Sequence, residues 1–93
     1  MFDRLLARFR ELVKASRYLL TAHAVDEMEA DGLTLYDVEH CILSGKIIER
    51  QRDRARQEWK YLVAGRTLSR VRVAVVAKIG PTGKLVVITV YVL

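Results

Sequence analysis

Histidine and arginine are the side chains through which this chain could do acid–base or anion chemistry. His23 falls at the start of a predicted helix, where a neutral imidazole can act as a general base toward a hydroxyl such as that of ribose. A histidine in a first helical turn is also a common structural contact, hydrogen-bonded and inert. From spacing alone, the structural role is the favoured interpretation for His23.

Arginines recur at every second position in one segment of the chain, at Arg50, Arg52, Arg54 and Arg56. In a continuous strand such residues share a face, and guanidinium groups at that spacing can bind successive phosphates. Because a loop is expected near Asp53, we expect only Arg50 and Arg52 to be aligned. The predicted RNA-binding residues are Arg50, Arg52, Trp59, Lys60, Arg70 and Arg72. The alternative is a solvated face whose charges are neutralised by the chain's own carboxylates.

Aromatic residues lie among these cations. Trp59, Tyr61 and Tyr91 fall in the strand-like part of the chain, and stacking on a base would require one of them to be exposed. The alternative is burial in the core, with the tyrosine hydroxyl reaching the surface. Burial is the favoured interpretation for Tyr61, whereas Trp59 remains open between the two.

The sequence gives little support for a metal site or for a nucleophilic residue. His23 and Glu27 are four residues apart, and Asp37, His40 and Cys41 lie on the next predicted helix. No paired Cys-x-x-Cys or His-Glu-x-x-His is present, so we predict no metal site and no cofactor. Cys41 is more simply a small buried side chain, and no serine lies in a nucleophile elbow.

Charge is sorted along the chain. Residues 1–45 carry five basic and eight acidic side chains, net −3, whereas residues 46–93 carry eleven basic and three acidic, net +8. The sum is the net charge of +5. This sorting predicts an acidic helical layer beside a basic sheet, and a basic sheet face is a candidate RNA surface.

The elements that must position these residues are three helices followed by strands. A first amphipathic helix follows Asp3, its predicted N-cap; a second spans residues 22–31, with Thr21 as N-cap and Gly32 closing it. A third begins at a T-x-x-D capping sequence, Thr34 to Asp37. Residues 16–21 are expected to be a short connector with room for a strand turn.

Strand patterns follow from residue 46. Residues 46–52 and 58–65 are predicted to form a hairpin. In residues 68–80, apolar side chains recur at every second position, as in a strand with one buried face. Residues 84–93 are apolar on both faces, which predicts a central strand. Residues 80–83 form a strong turn pattern. The fold class predicted is α+β, with N-terminal helices on a four-stranded, mainly antiparallel sheet.

Length and composition restrict the class of protein. Ninety-three residues predict one domain, with residues 1–20 as an added helix before a core of residues 21–93. The longest apolar run has nine residues, far short of the roughly 20 of a membrane helix, so we expect no membrane association. A single cysteine fits a reducing cytoplasm.

Several short motifs resemble a known group of proteins: HAVDEM at 23–28, GL at 32–33, DV at 37–38, GKIIE at 45–49, YLVAGR at 61–66 and ITVY at 88–91. Together they resemble an uncharacterised bacterial small-domain family with a His-Ala motif, grouped with the RelE/ParE and BrnT toxin superfamily. The resemblance implies a RelE-like fold, and relatives at that level include metal-independent mRNA endonucleases neutralised by antitoxin partners. The positions that match catalytic ones are His23, Glu49, Arg66 and Tyr91.

Many members of the family that this chain resembles carry basic residues on the His-Ala helix, where this chain has Glu27 and Asp31. Carboxylates there would repel a phosphate backbone, so an RNA path is expected to run over the strands. Two hypotheses follow. One is a toxin-like RNA-binding protein, a metal-independent endoribonuclease of a type II toxin–antitoxin system. The other is a non-catalytic protein-binding or regulatory module with a partner such as an antitoxin.

Overall fold

One face of a five-stranded sheet carries all three helices. The computed structural model describes residues 1–93. Its elements, in chain order, are α1 Asp3–Lys14, β1 Tyr18–Leu20, α2 Ala22–Ala30, α3 Leu35–Ser44, β2 Lys46–Asp53, β3 Glu58–Arg66, β4 Arg72–Ile79 and β5 Leu85–Val92. The sheet order is β1-β5-β4-β3-β2, with β1 parallel to β5 and all other pairs antiparallel. The α+β class is confirmed. None of the helices is long and apolar enough to span a bilayer.

The sheet has one strand more than the four predicted. The additional strand is β1, which lies in the predicted connector and pairs Tyr18 with Leu85 and Leu20 with Val87. Three residues are too few to show an alternating pattern, and their partner strand lies 67 positions further along the chain. β5 therefore lies between β1 and β4 for its first three residues, while its remainder is paired with β4 alone.

Local capping sequences set the ends of two helices as predicted. The Thr21 side chain accepts a hydrogen bond from the backbone N–H of Ala24, and Thr34 and Asp37 form a reciprocal capping box at the start of α3. The prediction for Asp3 was wrong: the N-cap of α1 is Phe2, which has no capping side chain, and Asp3 is the first helical residue. There its carboxylate still meets the positive end of the helix dipole.

Gly32 ends α2 through its backbone conformation. Its φ of 66° is left-handed, which glycine adopts without a Cβ clash. The N–H of Gly32 donates to the Glu29 carbonyl, and that of Leu33 donates to the Met28 carbonyl, the two bonds of a Schellman motif. The chain therefore turns at once into the Thr34 cap of α3.

The main core lies between the helices and the sheet. Leu6 and Phe9 of α1 and Ile42 of α3 are buried against alternate residues of β4, Val73 and Val75. α1 is therefore an integral part of the core. A second, smaller cluster lies on the sheet face that carries no helix; it consists of Leu62, Ala74 and Val76, with Ala64 and Tyr91 packed at its margin.

The alternation that begins at Leu68 does not become strand until Arg72. Residues 67–71 instead form a tight turn in which the N–H of Thr67 donates to the Val71 carbonyl and that of Arg70 donates to the Thr67 carbonyl. Thr67 is only 1% exposed, and its hydroxyl accepts a hydrogen bond from the N–H of Val71. This turn places Arg70 outside the sheet.

Candidate nucleic-acid interface

The predicted RNA-binding residues are divided between the two faces of the sheet. Register pairs Arg50 with Tyr61 and Arg52 with Trp59, and Tyr61 packs edge-on against Phe9 of α1. Arg50 and Arg52 therefore share one face, as predicted, and that face is the side on which the helices lie. By the same register Lys60 and Arg72 lie on the opposite face, and Arg70 lies in the turn before β4.

Trp59 is the centre of a cation–π cluster on the β2–β3 hairpin. The guanidinium carbon of Arg50 lies 4.0 Å from the centroid of the indole ring, and that of Arg52 lies 4.9 Å away. The tryptophan remains 39% exposed. The cluster thus presents delocalised positive charge and an aromatic surface at one place, the combination that binds single-stranded nucleic acid.

Few of the cations in the second half of the chain are neutralised by direct contact. Among the eleven basic residues of 46–93, the one that forms an ion pair is Lys78, and its partner is Glu58 on the neighbouring strand. Arg52 donates to the Gln57 amide oxygen, which carries no charge. The carboxylates of α2 and α3 make no ion pair with these cations, so the positive charge of the strands faces solvent.

The four residues that match catalytic positions do not come together. His23 lies on the helix side beside β5, is 66% exposed in its side chain, and has its Nε2 3.2 Å from the Glu27 carboxylate. Glu49 pairs with Leu62 and lies on the opposite face, on the edge strand β2. Tyr91 shares that face but lies three strands away, about 14 Å at ordinary strand spacing. Arg66 is the member that lies in a groove.

That groove, of about 980 Å³, lies where β3 ends and β2 begins, beside the C-terminal half of α3. Its polar and charged side chains include His40, Ser44, Lys46, Arg66 and Arg70. The His40 Nδ1 lies 2.7 Å from the carbonyl oxygen of Arg66. A carbonyl can only accept, so Nδ1 carries the proton and donates it. The Arg66 guanidinium in turn donates to the Arg70 carbonyl at 3.1 Å.

Two glycines let α3 approach β3 closely enough for the His40 contact. A Cβ at Gly65 would lie 2.6 Å from the Cys41 carbonyl oxygen, and one at Gly45 would lie 2.3 Å from the Ala64 carbonyl oxygen. Both distances are far inside van der Waals contact, so neither position accepts a side chain without moving the helix. The close approach places His40, next to Cys41, within hydrogen-bonding distance of Arg66.

The turn that carries Arg70 is held from two sides. Arg70 has φ 69°, an uncommon conformation for a residue with a side chain. The Asp37 carboxylate accepts the N–H of Leu68 at 3.0 Å, which ties the turn to α3. Hydrogen bonds from the N–H groups of Thr34 and Leu68 hold the pKa of Asp37 below its ordinary value. The carboxylate is therefore ionised and fixed at neutral pH.

Adjoining concavities join this groove to the Trp59 cluster. We call the groove beside His40 and Arg66 the His40 groove. Lys46 and Ile48 line both this groove and a second depression, which continues past Phe2. A third depression is lined by Arg4, Arg50 and Tyr61. Together they form a channel along the β2 edge, about 24 Å long at ordinary strand rise. We call it the β2 channel, with the His40 groove at one end and the Trp59 cluster at the other.

The groups considered for metal ligation are separated. Cys41 is buried under α3 with its Sγ 3.7 Å from the Val63 carbonyl oxygen, and burial raises the pKa of its thiol to about 12. It faces the core, whereas His40 faces the groove. The structure contains no group of three histidine, cysteine or carboxylate side chains placed to bind a metal ion.

His40 is the site residue that sequence reasoning missed as a candidate base. Its partner is a backbone carbonyl 26 residues away, so no local spacing indicates the contact. The sequence does contain the two glycines that allow α3 to approach β3, Gly45 and Gly65. They lie in the motifs GKIIE and YLVAGR.

Residues 20–92 match the family described as "Domain of unknown function (DUF4258)". The chain belongs to this family. The DUF4258 match begins within β1 and includes the His40 groove and the Trp59 cluster, whereas α1 precedes it. Comparisons with curated proteins and with solved structures give no significant match.

Proposed function

We propose that this DUF4258 protein is a toxin-like RNA-binding protein, related to the RelE/ParE and BrnT toxins, that binds single-stranded RNA along the β2 channel. In this proposal it is a metal-independent endoribonuclease of a type II toxin–antitoxin system. The observation that carries the proposal is the Trp59 cluster, where two unpaired guanidinium groups lie on one exposed indole.

Charge along the channel supports a polyanionic ligand. Arg4 and Arg50 line its middle section beside one carboxylate, Asp3, and Lys46, Arg66 and Arg70 lie at its far end, so cations outnumber carboxylates along the channel. Guanidinium groups donate hydrogen bonds to phosphate oxygens in pairs, and an edge strand leaves them accessible. The acidic helix α2 packs on β5, toward the edge of the sheet opposite to β2, so its carboxylates do not oppose a phosphate backbone in the channel.

An exposed indole favours single-stranded over duplex RNA. Bases in a duplex are stacked on each other, whereas those of a single strand can stack on an aromatic side chain. Each such contact is worth about 1–3 kcal/mol by alanine substitution. We therefore expect Trp59→Ala to weaken binding of an unstructured oligoribonucleotide about 5- to 150-fold, with less effect on a duplex.

Salt dependence tests the phosphate contacts directly. An unstructured labelled RNA is titrated with wild type and with Arg50→Gln/Arg52→Gln at several salt concentrations. Loss of two contacts to a single strand lowers the slope of log affinity against log salt by about 1.4. The matched control is Lys14→Gln/Lys84→Gln, which removes the same charge from exposed positions outside the channel. A wild-type affinity that does not change with salt contradicts the proposal.

Cleavage is tested in cells and in vitro. Induced expression is expected to arrest growth and to fragment mRNA, and purified protein is expected to cut RNA in the presence of EDTA. Arg66→Ala, which removes a groove cation and keeps its backbone carbonyl, is expected to reduce both effects. Wild-type expression that leaves growth and mRNA intact contradicts the nuclease part of the proposal and leaves RNA binding to be judged by the titration.

A second candidate, a non-catalytic protein-binding module, is favoured by one observation. Tyr36, at the start of α3, is 67% exposed, and Leu35 beside it is also exposed; both follow the acidic helix α2 in the chain. An aromatic side chain at a polar surface is typical of an interface anchor. This candidate predicts a stoichiometric protein partner in the native host whose binding is lost in Tyr36→Ala, together with RNA affinity that has no salt slope.

A further inference from the structure

We propose that His40 is the general base of RNA cleavage and that the scissile phosphate binds in the His40 groove. The inference rests on the proposed function, since it requires an RNA strand in the β2 channel. It assigns the reaction to the end of the channel opposite Trp59, at a residue that matches none of the four expected catalytic positions.

His40 has a fixed tautomer. Its Nδ1–H donates to the Arg66 carbonyl at 2.7 Å, so the neutral ring carries its lone pair on Nε2. No protein group hydrogen-bonds to Nε2, and the half-buried ring lines the groove. A backbone carbonyl that orients an imidazole in this way holds the second nitrogen ready to accept a proton. His23 has the reverse arrangement, since its Nε2 faces the Glu27 carboxylate.

Positively charged side chains surround His40. Lys46 of β2, Arg66 of β3 and Arg70 of the turn line the same groove. The Arg66 guanidinium is held by the Arg70 carbonyl, and the Asp37 carboxylate that ties down the turn is engaged by backbone N–H groups. Glu39 on the same helix accepts from the Tyr18 hydroxyl, away from the groove. A phosphodiester in the groove therefore meets three cations beside the Nε2 of His40.

The reaction that this arrangement supports is transfer within the RNA strand. His40 Nε2 takes the proton of a ribose 2′-hydroxyl, and the 2′-oxygen forms a bond to the adjacent phosphorus. The bond from phosphorus to the 5′-oxygen breaks, and that oxygen takes a proton from solvent water. The resulting hydroxide is neutralised by the imidazolium, which restores His40. The products are a 2′,3′-cyclic phosphate and a 5′-hydroxyl, and the cations stabilise the negative charge that develops on the oxygens bound to phosphorus.

The decisive variant is His40→Asn. The asparagine amide N–H can replace Nδ1–H as the donor to the Arg66 carbonyl, so the groove is kept while the basic Nε2 is lost. The matched control is His23→Asn, which removes the other histidine. The substrate is an unstructured oligoribonucleotide, assayed in EDTA for cleavage and for the chemistry of the new ends. We expect His40→Asn to lower the cleavage rate 100-fold or more with unchanged RNA affinity, and His23→Asn to cut normally.

A second substrate distinguishes removal of the 2′-hydroxyl proton from binding of the RNA strand. An oligonucleotide with 2′-O-methyl groups throughout is expected to bind with similar affinity and to remain intact, since it has no proton for Nε2 to remove. Urea unfolding of His40→Asn with the midpoint and m value of wild type confirms that the fold is kept.

The outcomes distinguish this inference from the proposed function. If wild type binds RNA with a salt slope and cuts it, but His40→Asn cuts at the wild-type rate or the 2′-O-methyl strand is cut, the assignment of His40 is overturned and the proposed function stands. If wild type binds RNA and never cuts it, His40 has no such role. If RNA does not bind at all, the proposed function and the assignment of His40 are both refuted.

Discussion

Replacing Gly65 by alanine tests the close approach on which the His40 groove depends. The added Cβ would lie 2.6 Å from the Cys41 carbonyl oxygen, and an ordinary carbon–oxygen contact is about 3.3 Å. Helix α3 must therefore withdraw from β3 by about 0.7 Å or strain the strand. Overpacking of this kind costs about 1–3 kcal/mol. Alanine recovers about 0.5–1 kcal/mol of backbone entropy, so the net loss is about 1–2 kcal/mol.

Urea unfolding followed by circular dichroism measures this loss. We expect a lower midpoint with an unchanged m value, and a melting temperature about 5–15 °C lower. The nitrogen chemical shift of His40 Nδ1 is expected to change as well, because the helix carries the ring away from the Arg66 carbonyl. The matched control is Gly80→Ala, where the added Cβ would lie 3.0 Å from Val86 Cγ2, a side-chain atom that can shift, and 3.6 Å from the nearest backbone atom, the Lys84 carbonyl oxygen.

The reasoning would be refuted by a Gly65→Ala protein as stable as Gly80→Ala, since backbone would then have yielded at no cost. It would also fail if the stability fell but the His40 signal stayed in place. In that case the glycine matters for packing alone, and the position of His40 is set by other contacts.

Three further predictions concern polar side chains of α3 and of the turn before β4. Thr67→Val leaves the Val71 N–H without its acceptor and is expected to lower the free energy of unfolding in urea by about 1–3 kcal/mol. Ser69→Ala, at an exposed neighbour, is expected to cost less, and equal costs would contradict the role of the Thr67 hydroxyl. Cys41 has a pKa raised from 9.0 to about 12 by burial, so its contribution to stability is present below pH 9 and lost as pH rises toward 12. Native protein at pH 8 is expected to resist iodoacetamide while urea-unfolded protein reacts, and rapid labelling of the native thiol would refute its burial. Asp37 has a lowered pKa, so its contribution is present above the ordinary aspartate range and lost as pH falls through the folded value. Asp37→Asn should flatten the acid side of a stability–pH profile, and an unchanged profile would show that other carboxylates dominate it.

Interactions between near neighbours in the chain could be predicted from the sequence. The cap of α2 at Thr21, the capping box from Thr34 to Asp37 and the turn at residues 80–83 each use hydrogen bonds between residues no more than four apart. The shared face of Arg50 and Arg52 follows from the period of a strand. Such features depend on residue type and spacing, which a single sequence contains.

The alternating pattern before β4 shows where that reasoning fails. Residues 68–71 continue the period of the strand, yet they form a turn because Thr67 and Asp37 bind their backbone N–H groups. The partner Asp37 lies 31 residues away from Leu68. Period alone cannot report a hydrogen bond over that distance.

The sequence by itself determined the caps of α2 and α3, the hairpins, the α+β class and the concentration of positive charge in the strands, because each rests on local spacing or composition. Only the tertiary structure decided that β1 joins the sheet, that the arginines are divided between its faces, and that His40 meets the Arg66 carbonyl. These depend on which distant segments pack together. That choice is made by burial of the whole core and by the close approach that Gly45 and Gly65 allow.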